Sequence, residues 1–258
     1  MTVNAKPIFL WDNKLVSQSG LTITHSTDES GFPFANILDW RKYLKWQSSD
    51  SGDLFIKIDA GSGETLILDS FAVAGHDLHT QGATIKLQYS DNDADWYDVV
   101  SVTPSTDRDL ARFFTSAEHR YFKVLMPTGY VAPPKIGHLF LGEMMQMPVW
   151  TSGPFNPRPM KIVSEDSTSA TGQHLETIEK YRWLEISVKF KGLSRTWCDA
   201  NLDPFELEHM PAPFYWVWDK ENHPNDVYLM KKKPGGKYDR EMGPSLDDWS
   251  IVFMGVDG

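Results

Sequence analysis

The sequence predicts an all-β protein built as two domains. Strand-type runs with period-two alternation recur through both halves, and no long amphipathic helix separates them. Between the halves, Pro148, Pro154, Pro157 and Pro159 fall with Gly153 inside a dozen residues, a density that suits a linker or an extended crossover. The expected division is a β-sandwich over 1–147, a proline-rich linker over 148–159 and a second β-rich domain with one short helix over 160–258.

Each element has its own local reason. Leu21-Thr-Ile-Thr24 alternates apolar and β-branched residues and reads as a strand. Asn36-Ile-Leu-Asp39 reads as a turn of helix or a tight bend that carries Ile37 and Leu38 inward. Leu54-Phe-Ile-Lys-Ile-Asp59 has strong β-propensity. Residues 65–74 are apolar enough to be covered on both faces. Ile85, Leu87 and Tyr89 face one way and Lys86 and Gln88 the other, while Asp91-Asn-Asp93 is turn chemistry ahead of a strand opened by Trp96. Arg120–Met126 and Ile136–Gly142 complete the first half.

In the second half Met160–Val163 reads as a strand and 165–173 as a polar loop. Lys180–Lys191 alternates most clearly. Ser194 is a candidate N-cap for a helix over 194–210, which Pro204 limits. Phe214–Trp218, Asp226–Met230 and Trp249–Met254 are three further strands. Phe214, Trp216 and Trp218 share one face of theirs, which is either a core face, as is usual for a strand aromatic at alternate positions, or a subunit interface. Because large groups occupy both faces, one face is expected to pack against another subunit or domain, and the three are candidate interface residues.

Composition narrows the function classes. The 258 residues carry a formal charge of −10, which is opposite to the basic footprint of a general nucleic-acid binder. Lys231-Lys-Lys233, followed by Pro234-Gly-Gly236, reads as a hairpin tip. A single cysteine, Cys198, excludes an internal disulfide framework and zinc-ribbon spacing, and a lone cysteine commonly serves as a small buried hydrophobe. There is no apolar stretch of membrane-spanning length and no secretory signal pattern at the N-terminus, so synthesis in a cytoplasm without membrane insertion is expected. No zinc-protease, nucleophile-elbow or phosphate-loop motif occurs. No catalytic residue, metal site or cofactor is assigned, and an enzyme is not expected. His76 and His79 flank Asp77 in a loop, and Asp91, Asp93 and Asp95 cluster, but turn and loop polarity accounts for both groups.

The first half resembles the discoidin (coagulation-factor C-type) domain, a galactose-binding-like jelly-roll sandwich. The resemblance rests on an ordered set over roughly residues 20–145: Ala35-Asn-Ile-Leu-Asp39, Trp46-Gln-Ser48, Leu54–Asp59, Ala74-Gly75 with Thr80-Gln-Gly82, Ile85–Ser90, Trp96 and Arg120–Val124. It implies that loops at one end of the sandwich carry recognition. The candidate ligand-binding residues are therefore Trp40, Arg41, Tyr43 and Trp46, with His76 and His79 from a neighbouring loop. Trp46 and Trp40 have the alternative role of plugging the sandwich. Where the family often has Asp-Gly, this chain has Asp39-Trp40-Arg41, and the paired cysteines of many members are absent; a calcium site of the family type is not carried over.

The second half is similar to β-rich components of bacteriophage tails, including distal-tail proteins. Together the two resemblances imply a homo-oligomeric tail or tail-tip protein of a virion, made in a host cytoplasm. Such a protein packs against other tail proteins and carries a sandwich for subunit packing or contact with a host surface glycan. The alternative expectation is a stand-alone carbohydrate-binding protein that uses the Trp40–Trp46 loop.

Overall fold

The structure is a computed structural model that describes residues 6–153, 156–235, 238–243 and 245–255. The chain forms two compact units. One runs to Gln146 and also takes in Tyr215–Val227; the other comprises Met147–Phe214 and the chain from Tyr228 onward. This return of residues 215–227 to the first unit has no counterpart in the sequence-based division.

The first unit is an antiparallel β-sandwich. Its larger sheet orders Thr22–His25, Leu54–Asp59, Tyr121–Met126, Ile85–Ser90 and Tyr97–Val102; its smaller sheet orders His138–Gly142, Leu66–Ala74 and Leu110–His119. The alternation seen in sequence becomes the inner face. Leu54, Ile56 and Ile58 are buried while Phe55, Lys57 and Asp59 are half-buried. Register lines up Ile56 with Val124 and Val124 with Leu87, an apolar row across three strands. Leu68, Phe71, Val73, Leu139 and Leu141 of the smaller sheet belong to the same core. The Leu66–Ala74 strand is covered on both faces only from Ser70 onward, since Ile67 on its first half is exposed.

Ile8–Leu10 pairs with Met145–Gln146 on one side and with residues 215–217 on the other. Phe9 and Trp216 stand opposite each other with ring centroids 4.8 Å apart.

In the second unit, Leu246–Gly255 is flanked by residues 230–232, by Tyr238–Met242 and by His174–Ser194, and Met160–Thr168 closes the sheet as its edge strand. Ile186 pairs with Phe253, Val188 with Ile251 and Phe190 with Trp249, and all six side chains are buried. Beside them the expected 194–210 helix breaks into three pieces. Ser194 does cap the first, its Oγ accepting from the Trp197 N–H at 3.3 Å, but Cys198–Leu202 and Phe205–His209 are wider π-type turns, the second beginning after Pro204. Cys198 is buried there, and burial pushes its thiol above the usual range. Asp247, fully buried, is held by Arg240 at 2.9 Å and Arg195 at 3.3 Å; burial raises its carboxyl, and the two guanidinium groups outweigh this and hold it below the ordinary carboxylate value.

Two expectations require correction. The loop expected over 165–173 is confined to 169–173: Met160–Thr168 and His174–Ser194 pair as a long ribbon that takes in 165–168, and 169–173 forms its turn, closed by the Ser169 N–H on the Gln173 carbonyl at 2.8 Å. Polar residues occupy it because both faces of the ribbon meet water. The proposed interface strand is internal. Phe214, Tyr215, Trp216 and Val217 are all buried within the chain, so Phe214 and Trp216 present no surface to a partner. Trp218 is half-buried and donates Nε1–H to Asp226 at 3.2 Å. Large groups on both faces of this strand mark a doubly covered strand.

Candidate functional site

The loop that follows the Phe34–Leu38 turn is fixed from beneath. At Gly75, whose φ is +62°, a Cβ would lie 2.8 Å from the Lys42 carbonyl oxygen; at Gly137 it would lie 2.5 Å from the same atom. No side chain fits at either position without displacing the Lys42 backbone. The Lys42 ammonium pairs with Asp109 at 2.9 Å, both side chains largely buried, and the other Asp109 oxygen accepts from the Gly75 N–H at 3.2 Å. Asn36 Nδ2 donates to the Lys45 carbonyl at 2.8 Å and closes the loop's base.

On this base stands an aromatic–cationic tip. Trp40 is 39% exposed and Tyr43 is 73% exposed, with Arg41 exposed between them. Arg41 donates Nε–H and Nη2–H to Asp39 at 2.9 and 2.5 Å, and its backbone N–H adds a third bond to the same carboxylate. The Arg41 guanidinium beside it holds the Asp39 carboxyl below its usual value, and the hydrogen bonds that the guanidinium donates to Asp39 and to the Tyr43 hydroxyl oxygen raise its own pKa in turn. The planar fork therefore has an orientation fixed by Asp39.

Of the remaining candidates, Trp46 and His76 are buried and His79 reaches the surface. Trp46 is fully buried, donating Nε1–H to Asp28 at 2.9 Å and meeting Phe34 edge-on at 6.4 Å; it is the sandwich plug. His76 is 3% exposed, and burial pushes its pKa down against the opposing fields of Asp109, Asp107 and Asp77. His79 is exposed, with Nδ1 donating to the Pro104 carbonyl at 3.1 Å. Its backbone N–H and that of Thr80 donate to Asp107, as does the Thr80 hydroxyl at 2.5 Å. Burial raises the Asp107 carboxyl, but these bonds hold it below the ordinary value. The two histidines diverge, one into the core and one outward. Among the described residues no group of three or more His, Cys, Asp or Glu is placed to hold a metal ion.

Sequence reading missed His138. It lies almost wholly buried, its Nδ1 2.8 Å from the Tyr215 hydroxyl, and burial pushes its pKa down to about 4 while the nearby Asp39 opposes the shift. Nothing local in Gly137-His138-Leu139 distinguishes it; its partner is 77 positions away. The second unit has a depression of about 310 Å³ lined by Glu185, Ser187, Lys233, Ser250 and Val252, in which Lys233 is tied to Glu185 at 2.9 Å.

No protein-family model matches the chain, and no curated protein matches it in sequence. Solved structures do. A pectin-binding carbohydrate-binding module is 17% identical, with 46% of this chain and 88% of the module covered at a TM-score of 0.37. The C-terminal domain of a chitobiase from Bacteroides fragilis is 16% identical over 49% of this chain and 95% of that one, at 0.39. A GH29 fucosidase from Ruminococcus gnavus is 17% identical over 52% of this chain, at 0.43, but this chain spans only 27% of its length. Likeness at this level assigns no activity.

Proposed function

We propose that the first unit is a carbohydrate-binding β-sandwich whose contact residues are Trp40, Arg41 and Tyr43. The observation that carries this reading is the exposed tip itself: Trp40 and Tyr43 on either side of Arg41 in the chain, with the guanidinium pre-oriented by Asp39, on a loop locked where Gly75 and Gly137 admit no side chain. Aromatic faces stack against the C–H faces of sugar rings and lose little conformational freedom on binding. Arg41 donates to hydroxyl or carboxylate oxygens, so an acidic glycan suits the tip as well as a neutral one. The site residues of this reading exclude Trp46 and His76, which are buried.

A glycan array followed by calorimetric titration of the full chain tests it. Tyr43→Ala and Trp40→Ala each lower affinity by about tenfold or more while leaving the fold intact. An array with no binding, or binding indifferent to both substitutions, defeats the reading.

A second reading is favoured by the long, solvent-exposed ribbon of the second unit: the chain is a structural part of an assembly such as a bacteriophage tail, with the sandwich displayed on it. Tail-tube and tape-measure genes beside its gene are the expected finding, and their absence counts against it.

A further inference from the structure

The ribbon leaves an open strand edge, and that edge is complementary to itself. Met160–Thr168 ends the sheet of the second unit, and among the described residues no strand pairs with its outer side. Nine residues is long for an edge, and such edges are usually blunted by proline, bulges or inward charge. Here both register shifts fall on the partner strand, where Lys180 and Leu175 are the extra residues, so Met160–Thr168 alternates without interruption and contains no proline. Met160 and Ile162 are more than half exposed.

The polarity of the edge follows from one bond. The Pro159 carbonyl accepts from the Glu185 N–H at 3.1 Å, so Pro159 faces the partner strand. By alternation Lys161, Val163 and Glu165 also turn their backbone groups inward, and Met160, Ile162, Ser164 and Asp166 turn theirs outward. Lys161, Val163 and Glu165 share one face of the strand.

We propose that two copies of this chain pair through this edge, antiparallel, about a twofold axis at Val163. In that register Ile162 and Ser164 of opposite copies exchange the outward hydrogen bonds. Val163 meets its own counterpart, and Lys161 of each copy stands directly opposite the other copy's Glu165. These are non-hydrogen-bonded pairs, in which side chains approach most closely. An axis at Ile162 would set Lys161 against Val163, and one at Ser164 would set Lys161 against Ser167 and Ile162 against Asp166. Only the Val163 axis pairs both charges, and symmetry makes the pairing twice over. Lys161 stands in the field of Glu185 but makes no contact ion pair among the described residues, and Glu165, which holds Lys180, has a second oxygen to offer. The inference stands independently of glycan binding by the first unit.

Sedimentation velocity of the full chain over a concentration series tests it. The wild type is expected to approach twice the 29.4 kDa chain mass as concentration rises. Lys161→Glu and Glu165→Lys each weaken association by about tenfold or more, since each replaces two attractive pairs with two repulsive ones. The double exchange Lys161→Glu with Glu165→Lys restores it to within about threefold. Ser164→Pro, which removes an outward N–H that the isolated chain does not use, abolishes association with an unchanged far-UV spectrum. A wild type that stays monomeric at every concentration overturns the proposal, as does an oligomer indifferent to the single changes. Loss in both single variants without rescue in the double overturns the register.

Discussion

The division of labour between Trp40 and Trp46, six positions apart, turns on their partners. Trp46 buries its ring and satisfies its N–H on Asp28, so Asp28→Ala is expected to cost about 1–2 kcal/mol in denaturant unfolding by leaving that donor unpaired. Trp40 stays at the surface, and Tyr43 more so; Tyr43→Ala is expected within about 0.5 kcal/mol of wild type in the same measurement while binding falls. Sequence placed both tryptophans in one loop region and left plug and surface roles open to each, because solvent exposure is decided by which side of a half-turn the backbone presents. His138 carries a pH consequence. Its imidazole is neutral in the fold with a pKa of about 4 against an ordinary 6.5, so the unfolded chain binds the extra proton between those values. Stability is therefore present above about pH 6.5 and falls as pH drops toward 4, by about 3 kcal/mol from this residue. Thermal melts of wild type and His138→Gln across this range check it: the variant has the shallower slope.

At the scale of elements, the sandwich strands were readable because each has one wet and one dry face. Leu54–Asp59 and Tyr121–Met126 show in burial the alternation they show in composition. The ribbon was not readable over 165–168, since a strand wet on both faces has the composition of a loop, whereas the turn at 169–173 was. The Phe214–Val217 strand failed in the opposite sense: covered on both faces, it carries large groups throughout and imitates an interface. The Trp40–Tyr43 loop depends on a contact no local pattern encodes, the seating of Lys42 against Gly75 and Gly137. Gly137→Ala is expected to shift that loop and cost about 1–3 kcal/mol. It should weaken glycan binding without touching a contact residue, read as a change in titration affinity alongside a lowered melting temperature.

For the whole molecule, connectivity matters more than the linker composition suggested. Residues 215–227 belong with the first unit, where Trp216 pairs with Phe9 and Tyr215 meets His138. A fragment ending at residue 147 lacks them. Relative to the full chain, it is expected to expose the Ile8–Leu10 edge, melt lower and aggregate, as differential scanning fluorimetry with light scattering would show. The single thiol offers another kind of information. Cys198 is wholly buried among the π-type turns of the second unit and no other residue in the chain can react as a thiol. Its rate of modification by a soluble disulfide reagent is therefore a clock for the opening of that unit alone. Run across denaturant concentration, it separates local opening from global unfolding without any label being introduced.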